Sequence, residues 1–493
     1  MQYHIILKRK ENFLVSKNIH SVFFEYFGNT VYDGIWVGKD SEIENIDGLR
    51  KDVIDGIREM GIGTMRWPGG CCADHYHWKN GIGKDREDRY FPMPDPANGD
   101  IWRMDFGTDE FLKLCELTGA EPVITVNTAT GTPEEFLDWH EYVNGNVKTK
   151  YGKMRAENGH PEPYNVKYWG IGNTDENVWH NDWNHPETYA QAYLKFQTVL
   201  RDARRDKLFF IGLGLSREAE RGMQGWTNKV LDYITADRKK QAPDALSVHY
   251  YLGSMCGIPS GGATEYTDEE YFVLLDALQK YQHCIDVHRV AISEHAGKDA
   301  KTKICFDEWG AWHKDASPEN NQRATQTLRD GIYAALALHI FYKNADIVEF
   351  AMETQMTNLI QSLFETDGEK FYKTPTFYVM KLLFPHTGQY LLPTLPTDID
   401  DDLDTVSTLS EDGTKMTVSI VNRHLYDAKE INLSIAADGW TVTTADIVTC
   451  DDVRAQNSYE DPERICDKPF DVPENLAFTV PKHSIVRICL EKK

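Results

Sequence analysis

Between residues 21 and 385, short apolar β-rich runs alternate with longer stretches patterned for helix. The runs lie at 21–28, 64–67, 122–128, 166–172, 208–213, 245–251, 303–309 and 346–350, eight in all. Several are apolar throughout, the pattern of parallel strands buried on both faces. Between them, segment 46–60 carries Leu49, Val53, Ile54 and Ile57 at helical spacing. Thr108 is placed to cap a helix over 109–117, and Pro186 suits a first helical turn, with Tyr189, Tyr193, Phe196 and Leu200 following on one face. This alternation predicts an α/β chain folded as a (β/α)8 TIM barrel. An open doubly wound sheet is the alternative. Its dinucleotide fingerprint is missing, because Gly212-Leu213-Gly214-Leu215-Ser216 lacks a third glycine.

The pattern changes near residue 386. Runs at 405–409, 415–421, 430–435, 441–448 and 484–490 are short and alternating, with polar turns such as Glu411-Asp412-Gly413. Long helical patterns stop there, so the prediction is a C-terminal antiparallel β-sandwich. The expected division is a barrel over 18–385 and a sandwich over 386–493, joined by a strand within residues 1–17. The aspartate-rich run 398–404 lacks the glycine and glutamate of an EF-hand loop and is expected to be a solvated loop.

Charge narrows the function. Lys and Arg number 53 against 77 Asp and Glu, a formal charge of −24. Such a surface repels nucleic acid and anionic membranes but tolerates a neutral sugar. No run approaches the roughly 20 apolar residues needed to span a bilayer. The N-terminus lacks the layout of a signal peptide, and the nine scattered cysteines form no framework of pairs, so a cytoplasmic protein with reduced thiols is expected.

In a barrel, function gathers at the C-terminal ends of the strands. Here those ends carry carboxylates, amides and aromatics, which suit hydroxyls and C–H faces: Glu25 on the first strand, Arg66 on the second, Asn173 on the fourth, His249 and Tyr251 on the sixth, Asp307 and Glu308 on the seventh, then Trp312. Glycoside hydrolysis needs two carboxyl groups across the scissile bond, and the ends of strands four and seven stand on roughly opposite sides of a barrel mouth. Glu308, flanked by Phe306, Trp309 and Trp312, is the sharper candidate; a structural ion pair is the competing reading of that carboxylate. Cys71, Cys72, Asp74, His75 and His77 lack structural-zinc spacing, so no metal and no cofactor is expected.

Taken in order, several motifs resemble glycoside hydrolase family 51, the α-L-arabinofuranosidases. They are Phe24-Glu25-Tyr26-Phe27-Gly28, Arg66-Trp67-Pro68-Gly69-Gly70, Phe106-Gly107-Thr108-Asp109-Glu110-Phe111, Gly131-Thr132-Pro133-Glu134-Glu135, Trp169-Gly170-Ile171-Gly172-Asn173 and Asp307-Glu308-Trp309. The resemblance implies a (β/α)8 barrel with a C-terminal β-sandwich and a retaining, exo-acting enzyme on arabinose-containing glycans. It also implies a homo-oligomer, often a hexamer. It makes Glu308 the nucleophile and maps sugar binding to Glu25, Arg66, Asn173, Tyr251 and Trp312. A related barrel glycosidase on β-xylosides or β-glucans, or a sugar-binding protein with impaired catalysis, are the rival readings.

Two positions depart from the family pattern. Cys71 stands where the family usually has an asparagine after Arg-Trp-Pro-Gly-Gly. Thr174 stands where the acid/base glutamate directly follows Gly-Asn, and a hydroxyl cannot serve as a general acid near neutral pH. Either Thr174-Asp175 is a two-residue insertion and Glu176 is the acid/base, or the acid/base is absent. Spacing back from Pro186 favours Glu176.

Overall fold

The computed structural model describes residues 1–10, 13–95, 99–173, 185–201, 208–218, 222–236, 242–297 and 300–492. Eight parallel strands close into a barrel: β1 (Ser21–Phe23), β2 (Thr64–Trp67), β3 (Glu121–Val126), β4 (Tyr168–Ile171), β5 (Phe209–Leu213), β6 (Ala245–Leu252), β7 (Lys303–Ala311) and β8 (Val348–Thr354). The chain is thus a (β/α)8 barrel.

Some predicted boundaries move. Only the first three residues of run 21–28 are strand, whereas β8 continues to Thr354, beyond the expected end at residue 350. The helix expected over 46–60 begins at Lys51, because Asn45–Ile46 and Leu49–Arg50 pair as a short hairpin instead. Thr108 does not cap its helix but is the first residue of Thr108–Thr118. The Glu110 carboxylate takes the Gly107 N–H at 2.9 Å, leaving the buried Thr108 hydroxyl to accept from Trp139 Nε1 at 3.2 Å.

Inside the barrel, Phe23, Val123, Tyr168, Ile211, Ala245, Cys305, Phe350 and Met352 form one buried apolar plug. Every strand contributes to it except β2. The inward position of β2 above the plug is Arg66, whose guanidinium lies 4.8 Å over the Phe23 ring. Outward side chains such as Trp169 and Trp309 are buried among the surrounding helices. On helix Pro186–Arg201, the Tyr189 hydroxyl donates to Ile171 O at 2.9 Å and accepts from Leu213 N at 2.8 Å. One buried side chain therefore clasps the ends of β4 and β5, which fixes where the loop after β4 begins.

The C-terminal part packs two sheets over a second core. One has six strands, with Leu403–Leu409, Lys415–Asn422, Ser484–Lys492 and Trp440–Val448 at its centre, all antiparallel. The other has four, among them the N-terminal strand Gln2–Ile5, which runs parallel to Lys429–Ile435 and antiparallel to Thr394–Pro396. The aspartate-rich run is less solvated than its composition suggests. Asp400 pairs with Lys429 at 2.8 Å, while Asp404 lies within the strand Leu403–Leu409 and is held by Lys343 and His339.

Buried histidines line the seam between barrel and sandwich. His20 contacts the Tyr342 hydroxyl and packs edge-on to Phe384. His386 and His339 both reach the Ser419 hydroxyl, at 2.8 and 2.7 Å. Burial holds all three below the usual histidine range, His20 at about 3. A histidine kept neutral by the fold takes up a proton on unfolding below about pH 6.5, so stability falls as pH drops through that value and on towards the folded value. Thermal melts between pH 7 and pH 5 should show Tm falling on acidification. His20→Asn should lower Tm at pH 7 yet give a shallower fall, and an unchanged slope would remove His20 from this account.

Candidate active site

The C-terminal mouth of the barrel is organised by Arg66, which is 1% exposed. Its Nη1 donates to Glu308 Oε1 at 2.9 Å, its Nη2 to Asn173 Oδ1 at 2.6 Å and its Nε to Thr125 Oγ1 at 3.1 Å. Nε also lies 3.3 Å from Asp307 Oδ2. Burial works against the charge, but the carboxylates of Asp307 and Glu308 hold the guanidinium firmly protonated.

Glu308 and Asp307 are adjacent on β7, yet both reach Arg66. In a regular strand, neighbours point to opposite faces. The register slips on both sides here, between Ser247 and His249 of β6 and between Phe306 and Trp309 of β7. Such bulges re-aim side chains. The result is a nucleus of paired groups. Ser247 Oγ donates to Asp307 at 2.7 and 2.8 Å, and His249 lies between the two carboxylates, 3.3 Å from each. Burial works against an imidazolium there, but the Glu308 and Asp307 charges raise the histidine above its usual range. Burial likewise opposes ionisation of Asp307, and Arg66 with His249 overcomes it. Tyr251 completes the cradle, its hydroxyl donating to Glu308 Oε2 at 2.7 Å, with the Trp312 ring edge-on to it at 5.5 Å.

Glu25 faces this cluster from the end of β1. It accepts from the Cys72 N–H at 3.2 Å and from Gln355 Nε2 at 3.3 Å. Burial and the nearby Glu308 charge push its carboxyl up to about 7. The paired glycines after β2 make room for both carboxyls. A Cβ on Gly69, at φ +119°, would lie 2.2 Å from Glu25 Cβ, and one on Gly70 would lie 2.7 Å from Glu308 Oε1. Cys71 follows, partly exposed, its thiol pushed well up by burial and the Glu25 and Glu308 charges. Such a thiol stays protonated and is a poor nucleophile.

Just after β4, Gly172 takes φ +87°, and Asn173 then turns in beneath Arg66. Its Oδ1 is occupied by the guanidinium, while its Nδ2 has no partner among the described residues. Glu25, Arg66, Cys71, Asn173, His249, Tyr251, Glu308 and Trp312 therefore gather around one mouth. Thr174 and Glu176 lie outside the described residues. Sequence reasoning missed Gln355, which also accepts from the Glu25 N–H at 3.1 Å, and Thr354, 3.2 Å from the Tyr251 hydroxyl. Thr354 stands where β8 runs past its predicted end, and Gln355 follows it directly. Among the described residues no three ligating side chains are grouped to hold a metal. No helix there is long and apolar enough to cross a membrane.

A family model described as the α-L-arabinofuranosidase 1 domain matches residues 56–252, and one described as the α-L-arabinofuranosidase C-terminal domain matches 307–484. An intracellular exo-α-L-arabinofuranosidase of Bacteroides ovatus is 31% identical over 97% of this chain and 93% of its own. The chain belongs to the family 51 α-L-arabinofuranosidases. Among solved structures, the family 51 arabinofuranosidase from Xanthomonas axonopodis pv. citri superposes with a TM-score of 0.88 at 26% identity, covering 99% of each chain. The arabinose complex of the α-L-arabinofuranosidase from Thermotoga maritima follows at 0.81 and 28%, again over 99% of each.

Within this family the Gly69-Gly70 pair acquires a specific reason: no side chain fits beside the two carboxyls. In Gly70→Ala the added methyl must displace a carboxylate already held by Arg66 and Tyr251. Misplacing such a group by an ångström can cost about 100-fold in rate. We expect kcat on an aryl α-L-arabinofuranoside to fall by roughly that factor while Tm stays near the parent value. A variant of full activity would show that this close approach is not functional.

Proposed function

We propose that this family 51 arabinofuranosidase is a retaining, exo-acting enzyme with Glu308 as nucleophile and Glu176 as acid/base, working without a cofactor. The observation that carries the reading is the Glu308 carboxylate. It sits in the barrel mouth, 7% exposed, oriented by Arg66 and Tyr251 and flanked by His249. Aimed in this way, its carboxylate can attack the anomeric carbon as the bond to the leaving oxygen breaks and a carboxylic acid protonates that oxygen. Water then attacks the glycosyl-enzyme, the same acid residue takes its proton, and Glu308 is released. Glu25, Asn173, Cys71, His249, Tyr251 and Trp312 form the wall for the arabinofuranosyl ring, with Arg66 beneath. Glu25, near neutrality in its titration, can donate to a sugar hydroxyl or accept from one. Gln355 joins this set through Glu25.

Substrates are arabinose-containing oligo- or polysaccharides, arabinan and arabinoxylan among them. The division into a catalytic barrel over 18–385 and a sandwich over 386–493 joined by residues 1–17 is supported by two cores and by the pairing of Gln2–Ile5. A cytoplasmic setting is supported by the odd, scattered cysteine count and by the Bacteroides ovatus relative, whose name calls it intracellular. A homo-oligomer, on the hexameric pattern that the family resemblance implies, is the expected assembly.

The nucleophile is tested by Glu308→Gln. It should fold and bind arabinose while kcat falls by orders of magnitude; near-normal turnover would refute the assignment. Glu176 is tested by leaving-group dependence. Its carboxyl should stand about 5–5.5 Å from that of Glu308, the separation of a retaining pair. Glu176→Ala should slow glycans with poor leaving groups far more than activated aryl glycosides, which need little protonation. Azide should partly restore its turnover by attacking the glycosyl-enzyme. Equal loss on both substrate types with no azide effect would remove Glu176 from the mechanism.

A further inference from the structure

On the same rim as the catalytic mouth lies a cavity of about 380 Å³. Its walls come from the loops after β6 and β7, from the hairpin Phe364–Asp367 and Lys370–Lys373 after β8, and from Tyr459 of the sandwich. We propose that this cavity is a second carbohydrate site that takes one neutral sugar ring. The proposal rests on the arabinofuranosidase reading for its substrate class.

Position is the first argument. Ala263 and Ala324, which line the cavity, belong to the small apolar cluster packed against Tyr251 and Trp312. The cavity is thus one layer of side chains from the wall of the active site, on the side where the loops after β6 and β7 stand. Its volume falls in the range of about 300–1,000 Å³ usual for small-molecule sites.

Chemistry is the second argument. Tyr372 and Tyr459 meet edge to face at 5.0 Å, giving the cavity an aromatic wall of the kind that packs on sugar C–H groups. Arg323 is anchored through Nε and Nη2 on Glu365, at 3.2 and 2.5 Å, and through Nη2 on Asn358 Oδ1 at 3.1 Å. Among the described residues its Nη1 has no partner, so a fixed donor borders the space. Asp315, braced by the Ala263 N–H at 2.6 Å, and exposed Asp367 supply acceptors for hydroxyls. Glu365 is balanced by Arg323, which leaves Asp315 and Asp367 to repel an anionic ligand. A cationic ligand meets a different obstacle, because Lys370 Nζ already lies over the Tyr459 ring at 5.4 Å. A neutral polyol remains.

The ring can belong to the far part of a glycan whose end is in the active site, or to a separate sugar molecule. Two measurements separate these sources. Kinetics on arabino-oligosaccharides of increasing length, with an aryl α-L-arabinofuranoside as control, read the first. Calorimetric titration of Glu308→Gln with the same oligosaccharides and with free arabinose reads the second. Tyr459→Ala should leave kcat/KM for the aryl substrate within about twofold and raise KM for the longer oligosaccharides roughly three- to tenfold, the loss expected for one aromatic contact. If the ring is a separate molecule, free arabinose should bind Glu308→Gln at two sites, and the Tyr459→Ala double variant at one. Asp367→Ala, an exposed change, gives the same readouts should Tyr459→Ala fold poorly. Unchanged constants for every oligosaccharide together with a single arabinose site would overturn the proposal. A parent protein silent on the aryl substrate would instead sink the functional reading, while the titration still tests the cavity.

Discussion

Everything in the mouth of this barrel depends on one buried cation. Arg66 replaces an apolar plug residue on β2 and from there touches groups on β1, β3 and β7 and Asn173, just after β4. The carboxylates of Asp307 and Glu308 offset the cost of burying its charge, and Arg66 together with His249 keeps the buried Asp307 ionised. Removing one partner of such a buried group leaves the others uncompensated, at a cost of about 3–5 kcal/mol. The arrangement is therefore over-determined. That rigidity fixes the Glu308 carboxylate through Arg66 and Tyr251.

The charges in this nucleus nearly balance. Arg66 and His249, raised by its two carboxylate neighbours, face Asp307 and Glu308. Glu25 is a third carboxyl, and burial together with the Glu308 charge pushes it up to about 7. A site built in this way keeps Asp307 ionised by pairing and leaves Glu25 with a carboxyl raised towards neutrality. Both outcomes follow from burial, offset by paired cations at one carboxyl and reinforced by a like charge at the other.

The backbone makes its own contribution. Adjacent carboxylates on β7 converge on one guanidinium because the β6–β7 and β7–β8 ladders each slip at that level. Two glycines on the facing loop then pass so close to Glu25 and Glu308 that no side chain fits. The helix that follows β4 holds the ends of β4 and β5 through the Tyr189 hydroxyl, so Asn173 starts from a fixed point. The side chains gathered in the mouth are fixed in position because their backbones are pinned from outside it.

The sequence by itself determined the architecture and marked most of the side chains that gather at the mouth. Eight buried parallel strands read as apolar runs because both of their faces are covered, and the residues just after such runs can only face the mouth. Glu25, Arg66, Asn173, His249, Tyr251, Glu308 and Trp312 were legible for that reason. Tertiary structure decided what alternation could not. Asp307 should point away from Glu308 by strand period, and a bulge turned it inward. Thr354, and Gln355 directly after it, entered the site because β8 runs on past Phe350 to Thr354. Thr108 lost its capping role to Glu110, which could reach the same backbone and left the hydroxyl to Trp139. Strand registers and charge balances of this kind are settled between segments far apart in the chain, so no local pattern records them.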